Sequence, residues 1–365
     1  MLTNISLENF KCFERVDLPM TNLNLFSGIN SMGKSTIIQA FLLLRQSYEQ
    51  NKLTSGIYLN GSYVKVGTGK DLLYVNAGKN DKVGICLTHE NLKPLKFCMD
   101  YDGSADFLKF SDSVTIRKNL FGKMNLLKSG FEYISAERLG PRNLYEKSYS
   151  QINEKQQIGI FGEFSAHYIL IKGEEQLENE KVCYSDEPAN TLIIQLQRWL
   201  SEVSPGIKLN IEDYINADAV GLTYRISEYQ TFNNYKAVNI GFGITYVLPV
   251  ILSLLKARKD DFIIIENPEA HLHPKGQRKL GELIAKASAG GVQVVLETHS
   301  DHVLNGIRLS VKNKVIDKKL VRLNYFQKKN DVHQVENPEI FEDGRLTFWP
   351  EGFFDEWDKA IDEMF

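Results

Sequence analysis

The sequence of 365 residues predicts an α/β fold: a mixed, largely parallel core sheet with flanking helices, an antiparallel β layer and a helical lobe. Three observations carry this reading. A short apolar run, "NLNLFSG", leads through Gly28-Ile29-Asn30-Ser31-Met32-Gly33-Lys34-Ser35 into "STIIQAFLLLRQS", whose apolar residues recur at helical spacing. The final third alternates strand-like and helix-like segments, which implies parallel strands joined by helical crossovers. Residues from about 58 to 106 instead alternate short β-type runs with Gly, Asn and Asp turns, the pattern of an antiparallel layer.

Taken in order, "LTNISLENFKCFERVDLPMTNLNLFSG" reads as two or three strands with Pro19 at a turn. "YVKVG", "KVGICLTH" and "LKFCMDY" are the β-type runs of the antiparallel layer. "FEYISAERLGPRNLY" reads as a strand leading into a polar loop, "TLIIQLQRWLSEV" (191–203) as a helix and "GLTYRIS" as a strand. Then come "VNIGFGITYVLPVILSLLKAR", "DFIIIENPEAHLHP", "KGQRKLGELIAKASAGG" and "VQVVLETHSDHVLNGIRLSV", the alternating strand and helix units. Three consecutive isoleucines, Ile263, Ile264 and Ile265, suit a strand buried on both faces. "DEWDKAIDEM" predicts a closing amphipathic helix. The expected organisation is one head over 1–365. Its segments are 1–57 (N-terminal strands and glycine-rich loop), 58–130 (β-rich), 131–235 (strand, loop and helical insertion), 236–311 and a C-terminal region, 312–365.

Composition narrows the function classes. Hydrophobic content of 43% and charged content of 24% are ordinary for a soluble globular protein, and a net charge of −3 gives no global reason to bind nucleic acid. Cys12, Cys86, Cys98 and Cys183 are scattered without metal-ligand spacing, which suits a reducing compartment and argues against a disulfide framework. The N-terminus lacks a cleavable signal pattern, and "TYVLPVILSLLKARK" is too short for a membrane span and ends in charge. The expectation is a soluble, cytoplasmic protein.

The loop Gly28–Ser35 completes the pattern G-x-x-x-x-G-K-[ST] between a strand and a helix. Glycines at its ends permit backbone angles and close approach that a side chain would block. The amides of Asn30, Ser31, Met32 and Gly33, with a helix N-terminus behind them, make a concave donor site for phosphate oxygens. Lys34 can reach the outer phosphates of ATP, Ser35 can hold Mg²⁺ and Thr36 can bond an inner phosphate. Gln39, one turn into the helix, reads as structural. At the end of the isoleucine strand, Glu266 is placed to orient water on Mg²⁺, although aspartate is more usual there. His299, at the end of "VQVVLETHS", is a candidate for bonding the γ-phosphate or the attacking water. Asn239, Gly241 and Gly243 precede an apolar helical run, where small residues and an amide can present donors to an anion.

The glycine-rich loop, "NIGFGITYVLP", "IIIENPEAHLHP" and "ETHSDH" occur in the order of ABC-type ATPase heads. The sequence resembles the SMC-like AAA-family ATPases of the OLD (overcoming lysogenization defect) group. "YISAERLGPR" and "WPEGFFDEWDKAIDEM" narrow the resemblance to bacterial proteins with a short C-terminal region of unassigned function. The resemblance implies an ATP- and Mg²⁺-dependent ATPase, with ATP sandwiched between the heads of a homodimer. Gly241 and Gly243 fall in a diverged signature motif that would contact the partner head's nucleotide, and Glu137 and Arg138 are candidates for lining the site. Relatives of this type often sit beside a nuclease or another toxic effector, so the resemblance implies an ATP-gated switch, linked to DNA or to a partner, as in bacterial antiphage defence.

One departure bears on rate. Many ABC heads place a catalytic glutamate directly after the Mg²⁺ carboxylate, where this chain has Asn267, which cannot act as a general base. Either Glu269 or His299 substitutes, or hydrolysis is slow and ATP mainly holds a dimer. A transporter ATPase would carry a signature closer to LSGGQ. A self-contained nuclease would need more chain after His299, and "HLHP" (His271, His273) is explained by the turn after the isoleucine strand, with no zinc site needed. The alternative is a DNA repair or recombination ATPase that binds DNA directly. The basic stretch from Lys312 to Asn330 would serve it, unless that stretch is a solvated helix end and strand.

Overall fold

A computed structural model describes residues 1–78, 80–111, 118–226, 234–354 and 361–364. The chain divides into two compact units: Met1–Lys128 with Arg322–Glu339 and Phe348–Phe365, and Ser129–Val321 with Ile340–Thr347.

The first unit begins with β1 (Leu2–Phe10), β2 (Phe13–Pro19), β3 (Leu23–Gly28) and α1 (Lys34–Glu49). β4 (Gly56–Tyr58), β5 (Val83–His89), β6 (Leu92–Met99) and β7 (Phe107–Lys109) follow. An antiparallel sheet runs β2-β1-β5-β6, and β4 pairs with β7. In β5 the alternation works as expected: Val83, Ile85 and Leu87 are buried while Gly84, Cys86 and Thr88 are half-exposed. "YVKVG" does not become a strand. The Asn60 side chain bonds both the N–H and the C=O of Gly67 (2.9 and 2.8 Å), closing the segment into a loop with a single Asn60–Lys65 bridge. α1 is apolar over most of its surface and correspondingly buried, and the large polar side chains buried in its last turns are satisfied. Arg45 donates to the carbonyls of Leu126 and Lys128 (3.1 and 2.7 Å), and Gln46 to that of Tyr58 (2.8 Å).

The second unit runs from β8 (Phe131–Ile134) through β9 (Leu144–Glu146), α2 (Tyr149–Asn153), α3 (Ser165–Lys172) and α4 (Leu192–Val203). β10 (Ile207–Tyr214), β11 (Ala219–Ile226) and β12 (Tyr235–Lys236) form an antiparallel sheet that β9 joins. The alternating part is α5 (Phe242–Leu255), β13 (Phe262–Glu266), α6 (Pro274–Ala289), β14 (Gln293–Glu297) and α7 (Asp301–Lys312). β14, β13 and β8 lie side by side and parallel, and the three isoleucines of β13 are buried as the run of β-branched residues requires. The chain then returns to the first unit as the hairpin β15 (Val321–Lys329) and β16 (Val332–Glu336), ordered β16-β15-β3 there. Of the closing helix, only 361–364 are described, and they are helical; the remainder of "DEWDKAIDEM" lies outside the described residues. Among the described residues no helix is long and apolar enough to cross a membrane.

Behind β8 lies a buried ion pair. Glu132, 3% exposed, meets the Lys256 ammonium at 2.5 Å, and that ammonium also donates to the Gln156 carbonyl (2.7 Å). Burial pushes the Glu132 carboxyl up, and Lys256 offsets only part of this; burial pulls Lys256 down, and Glu132, Tyr168 and Asp261 together more than reverse it. Lys256→Met would strand a buried carboxyl and is expected to cost about 3–5 kcal/mol of stability, read as a lower denaturant midpoint. Adding Glu132→Leu should recover most of the loss, because an apolar pair of similar volume carries no desolvation cost.

Candidate nucleotide site

In the first unit the glycine-rich loop is shaped by its neighbours. Gly28 (φ +133°), Ser31 (φ +66°) and Gly33 (φ +106°) all have positive φ, a region that favours glycine. A Cβ on Gly28 would lie 2.2 Å from the carbonyl oxygen of Phe326 on β15, and one on Gly33 would lie 2.5 Å from the Phe13 ring. No larger residue fits either place. Between them Ile29, Asn30 and Ser31 are exposed and Met32 is half-buried, and Ser35 is exposed at the first turn of α1. Lys34, 4% exposed, folds back over the loop and donates to the carbonyls of Gly28 (2.7 Å) and Ile29 (3.0 Å). Thr36 is buried, with its hydroxyl 3.5 Å from the Cys12 sulfur. Burial pushes the Cys12 thiol up. Gln39 accepts a hydrogen bond from Lys11. Burial pulls the Lys11 ammonium down.

In the second unit β13 and β14 end in register, with Glu266 opposite Glu297. Glu266 accepts from the Ala136 N–H (3.2 Å) and from the Tyr133 hydroxyl. Burial raises its carboxyl above the ordinary range, and those two donors and Arg138 pull it back only in part. Arg138, 3% exposed, donates to the carbonyls of Ser135 (3.0 Å), Glu266 (2.7 Å) and Asn267 (2.5 Å). Burial lowers the guanidinium to about 10 against the pull of Glu269, Tyr246 and Glu266. Glu137, its neighbour in sequence, is exposed.

Asn267 turns the chain out of β13 in the left-handed region (φ +43°), and its N–H donates to the Glu297 carbonyl (2.9 Å). Its side-chain oxygen is buried without a hydrogen bond. Both carboxylate oxygens of Glu269 are engaged at the end of β14: Oε2 accepts from the Thr298 hydroxyl (2.7 Å) and Oε1 from the His299 N–H (2.8 Å). The His299 residue is exposed, and Ser300 after it caps α7 by accepting from the Val303 N–H (3.0 Å). His273 similarly caps α6, accepting from the Lys275 N–H (3.3 Å), with Pro274 as the first helical residue.

The start of α5 packs on this turn. A Cβ on Gly243 would lie 2.5 Å from the His271 carbonyl oxygen, so only glycine permits the approach. Gly241, the N-cap, has open space around it, and Asn239 is exposed one short turn earlier. Phe242 is exposed, and its ring and that of Tyr246 lie 5.8 and 4.6 Å from His271.

Known proteins give these two constellations a frame. The Smc head domain with an extended coiled coil, bound to the C-terminal domain of ScpA and derived from Pyrococcus furiosus, is similar over 100% of this chain and 99% of its own, with a TM-score of 0.52 at 12% identity. The SmcHead bound to the C-winged helix domain of ScpA is similar over 93% of this chain and 97% of its own, with a TM-score of 0.51 at 12% identity. The chain has the fold of an SMC-like, ABC-type ATPase head. Within this head, residues 139–305 match the family described as "AAA domain, putative AbiEii toxin, Type IV TA system", and residues 316–364 match a protein family of unknown function, DUF3696. No curated protein sequence matches the head.

The head thus gathers Asn30 to Thr36 in one unit and Asn239, Gly241, Gly243, Glu266, Glu269 and His299 in the other. Sequence reasoning missed Tyr133, Thr298 and Glu297. Tyr133 sits near the end of a strand beside the isoleucine strand, a positional signal that was available once parallel order was assumed. Glu297 and Thr298 both precede His299 and carried no signal of their own. Along the basic stretch from Lys312 to Asn330, Lys318, Lys328 and Lys329 pair with Glu342, Asp331 and Glu336 (3.6, 2.9 and 2.6 Å). That is the pattern of a solvated surface, where such pairs contribute little.

Proposed function

We propose that this protein binds and hydrolyses ATP with Mg²⁺ and works as a nucleotide-gated dimeric switch in bacterial antiphage defence, acting on a separately encoded effector such as a nuclease. The observation that carries the reading is the loop itself. Its glycines sit in conformations only they tolerate, and its lysine is already folded over it. The residues fit the group they would hold. The loop amides and Lys34 would take the phosphates, Ser35 and Glu266 would serve the metal, and Mg²⁺ would supply charge neutralisation at the phosphate oxygens. Asn239 and Gly241, exposed beside Val238 and Phe242, present polar and apolar groups together, which suits a face closed by a second head. The family description that names a type IV toxin–antitoxin system supports the defence assignment, and the ScpA complexes of the similar heads support a separate protein partner.

In the second unit either Glu269 or His299 would stand in for the base that Asn267 cannot supply: Glu269 as the carboxylate held at the Thr298–His299 turn, or His299 by addressing the terminal phosphate or the attacking water. The test is phosphate release with ATP and Mg²⁺, with X-ray scattering on the same sample. Turnover together with an ATP-dependent compaction or rise in mass supports the switch. Demonstrated ATP binding with an unchanged scattering profile overturns the dimer closure.

Glu266 adds a pH prediction. Because burial holds its carboxyl above the ordinary range near 4.3, the anion that Mg²⁺ needs is lost at a higher pH than usual as the solution is acidified. Apparent Mg²⁺ affinity should therefore fall with pH above the ordinary carboxylate range, and Glu266→Gln should flatten that dependence while weakening the metal throughout.

A further inference from the structure

The family region of unknown function, residues 316–364, meets the glycine-rich loop within the first unit. At the Gly28 end, the Phe326 carbonyl fills the space a side chain would need, and the Phe326 ring packs against Phe26 at 5.3 Å. At the Gly33 end, His333 on β16 is half-buried, with Nδ1 3.4 Å from the Met32 carbonyl oxygen. Its ring stands edge-on to Phe13 at 6.1 Å, the same ring that walls Gly33. A carbonyl oxygen only accepts, so this contact requires a proton on Nδ1. The Met32 C=O and the Gly33 N–H belong to one planar trans peptide and point in opposite directions. Holding the carbonyl from the β16 side therefore aims the Gly33 N–H away from β16.

We infer that His333 is a positioning residue for phosphate binding: its Nδ1–H fixes the Met32–Gly33 peptide so that the Gly33 amide is presented to the nucleotide. The C-terminal region then has a task, bracing the loop at both ends. The inference rests on the reading of the loop as an ATP site. Three variants separate the two. His333→Phe keeps an aromatic ring against Phe13 but removes the donor, and His333→Asn keeps a donor amide close to the Nδ1 position. ATP affinity, measured by titration with a fluorescent ATP analogue, should weaken about three- to tenfold in His333→Phe, the size of one net hydrogen bond, and stay within about twofold of wild type in His333→Asn. Wild-type affinity in His333→Phe, or equal losses in both variants, overturns the positioning role. Lys34→Ala is the control: if it binds as wild type does, the ATP-site reading fails instead. A measurement on the unaltered protein guards against variants that do not fold. The ¹⁵N signal of His333 Nδ1 should remain in the protonated range with and without ATP, and an unprotonated Nδ1 overturns the inference.

Discussion

Lys34→Ala is expected to lower ATP hydrolysis by at least about 100- to 1000-fold, the loss typical of removing one preorganised stabiliser of transferring charge. The side chain is the one mobile positive charge that the loop itself supplies, and its ammonium now rests on the carbonyls of Gly28 and Ile29. From there it can exchange two neutral acceptors for phosphate oxygens, which are stronger partners for an ammonium. Alanine removes that charge without altering the glycines that set the backbone. The fold should persist, checked by an unchanged circular dichroism spectrum and a melting temperature close to wild type. Nucleotide affinity and turnover in a folded Lys34→Ala protein equal to wild type would remove the loop from the mechanism.

The second large effect is a gain. Asn267 stands where many ABC heads carry a general base, so Asn267→Glu should speed hydrolysis, by up to about 10² to 10⁴, or 3 to 5 kcal/mol of barrier. The surroundings limit that gain. Residue 267 is in the left-handed region, which asparagine tolerates better than glutamate, and a new carboxylate would stand beside Glu266. The variant should therefore be less stable even as it turns over faster. Glu269→Gln is the companion measurement. Glutamine keeps one acceptor for the Thr298 hydroxyl or the His299 N–H but sets an amide against the other donor. Rate loss accompanied by a displaced His299 resonance identifies Glu269 as the holder of the turn. Rate loss with that resonance unmoved identifies it as the base. No rate change in either variant directs attention to His299.

Local chemistry explains what the sequence made legible. The strand, loop and helix around Gly28–Ser35 could be read because each residue type there answers to its own backbone geometry. Three adjacent isoleucines similarly predicted a strand buried on both faces, since a short run of β-branched residues suits a strand covered on both sides better than it suits a helix. "YVKVG" misled because its alternation is real, but Asn60 competes successfully for the backbone of Gly67. Arg138 was found as a candidate, although its three carbonyl partners were invisible, because they lie at Ser135 and at the far end of another strand. His333 gave no signal at all. "VHQVE" announces a strand and nothing more, and the partner of its imidazole is 301 residues away in the chain.

The first unit is assembled from stretches far apart in the chain, Met1–Lys128 and Arg322–Glu339 among them, and this has a consequence for the order of synthesis. Leu25 of β3 and Asn324 of β15, joined by a hydrogen bond, are 299 residues apart. At about 5–20 residues per second, a ribosome delivers β15 roughly 15–60 s after β3. Throughout that interval the loop has neither the Phe326 carbonyl behind Gly28 nor the β16 strand beside Met32. Most of the second unit, Ser129–Val321, emerges as one continuous stretch and can fold during the wait. Nucleotide competence would then come after the second unit has folded. A chain cut before β15 would carry every motif of an ATPase and still be silent, a built-in delay between making the switch and arming it.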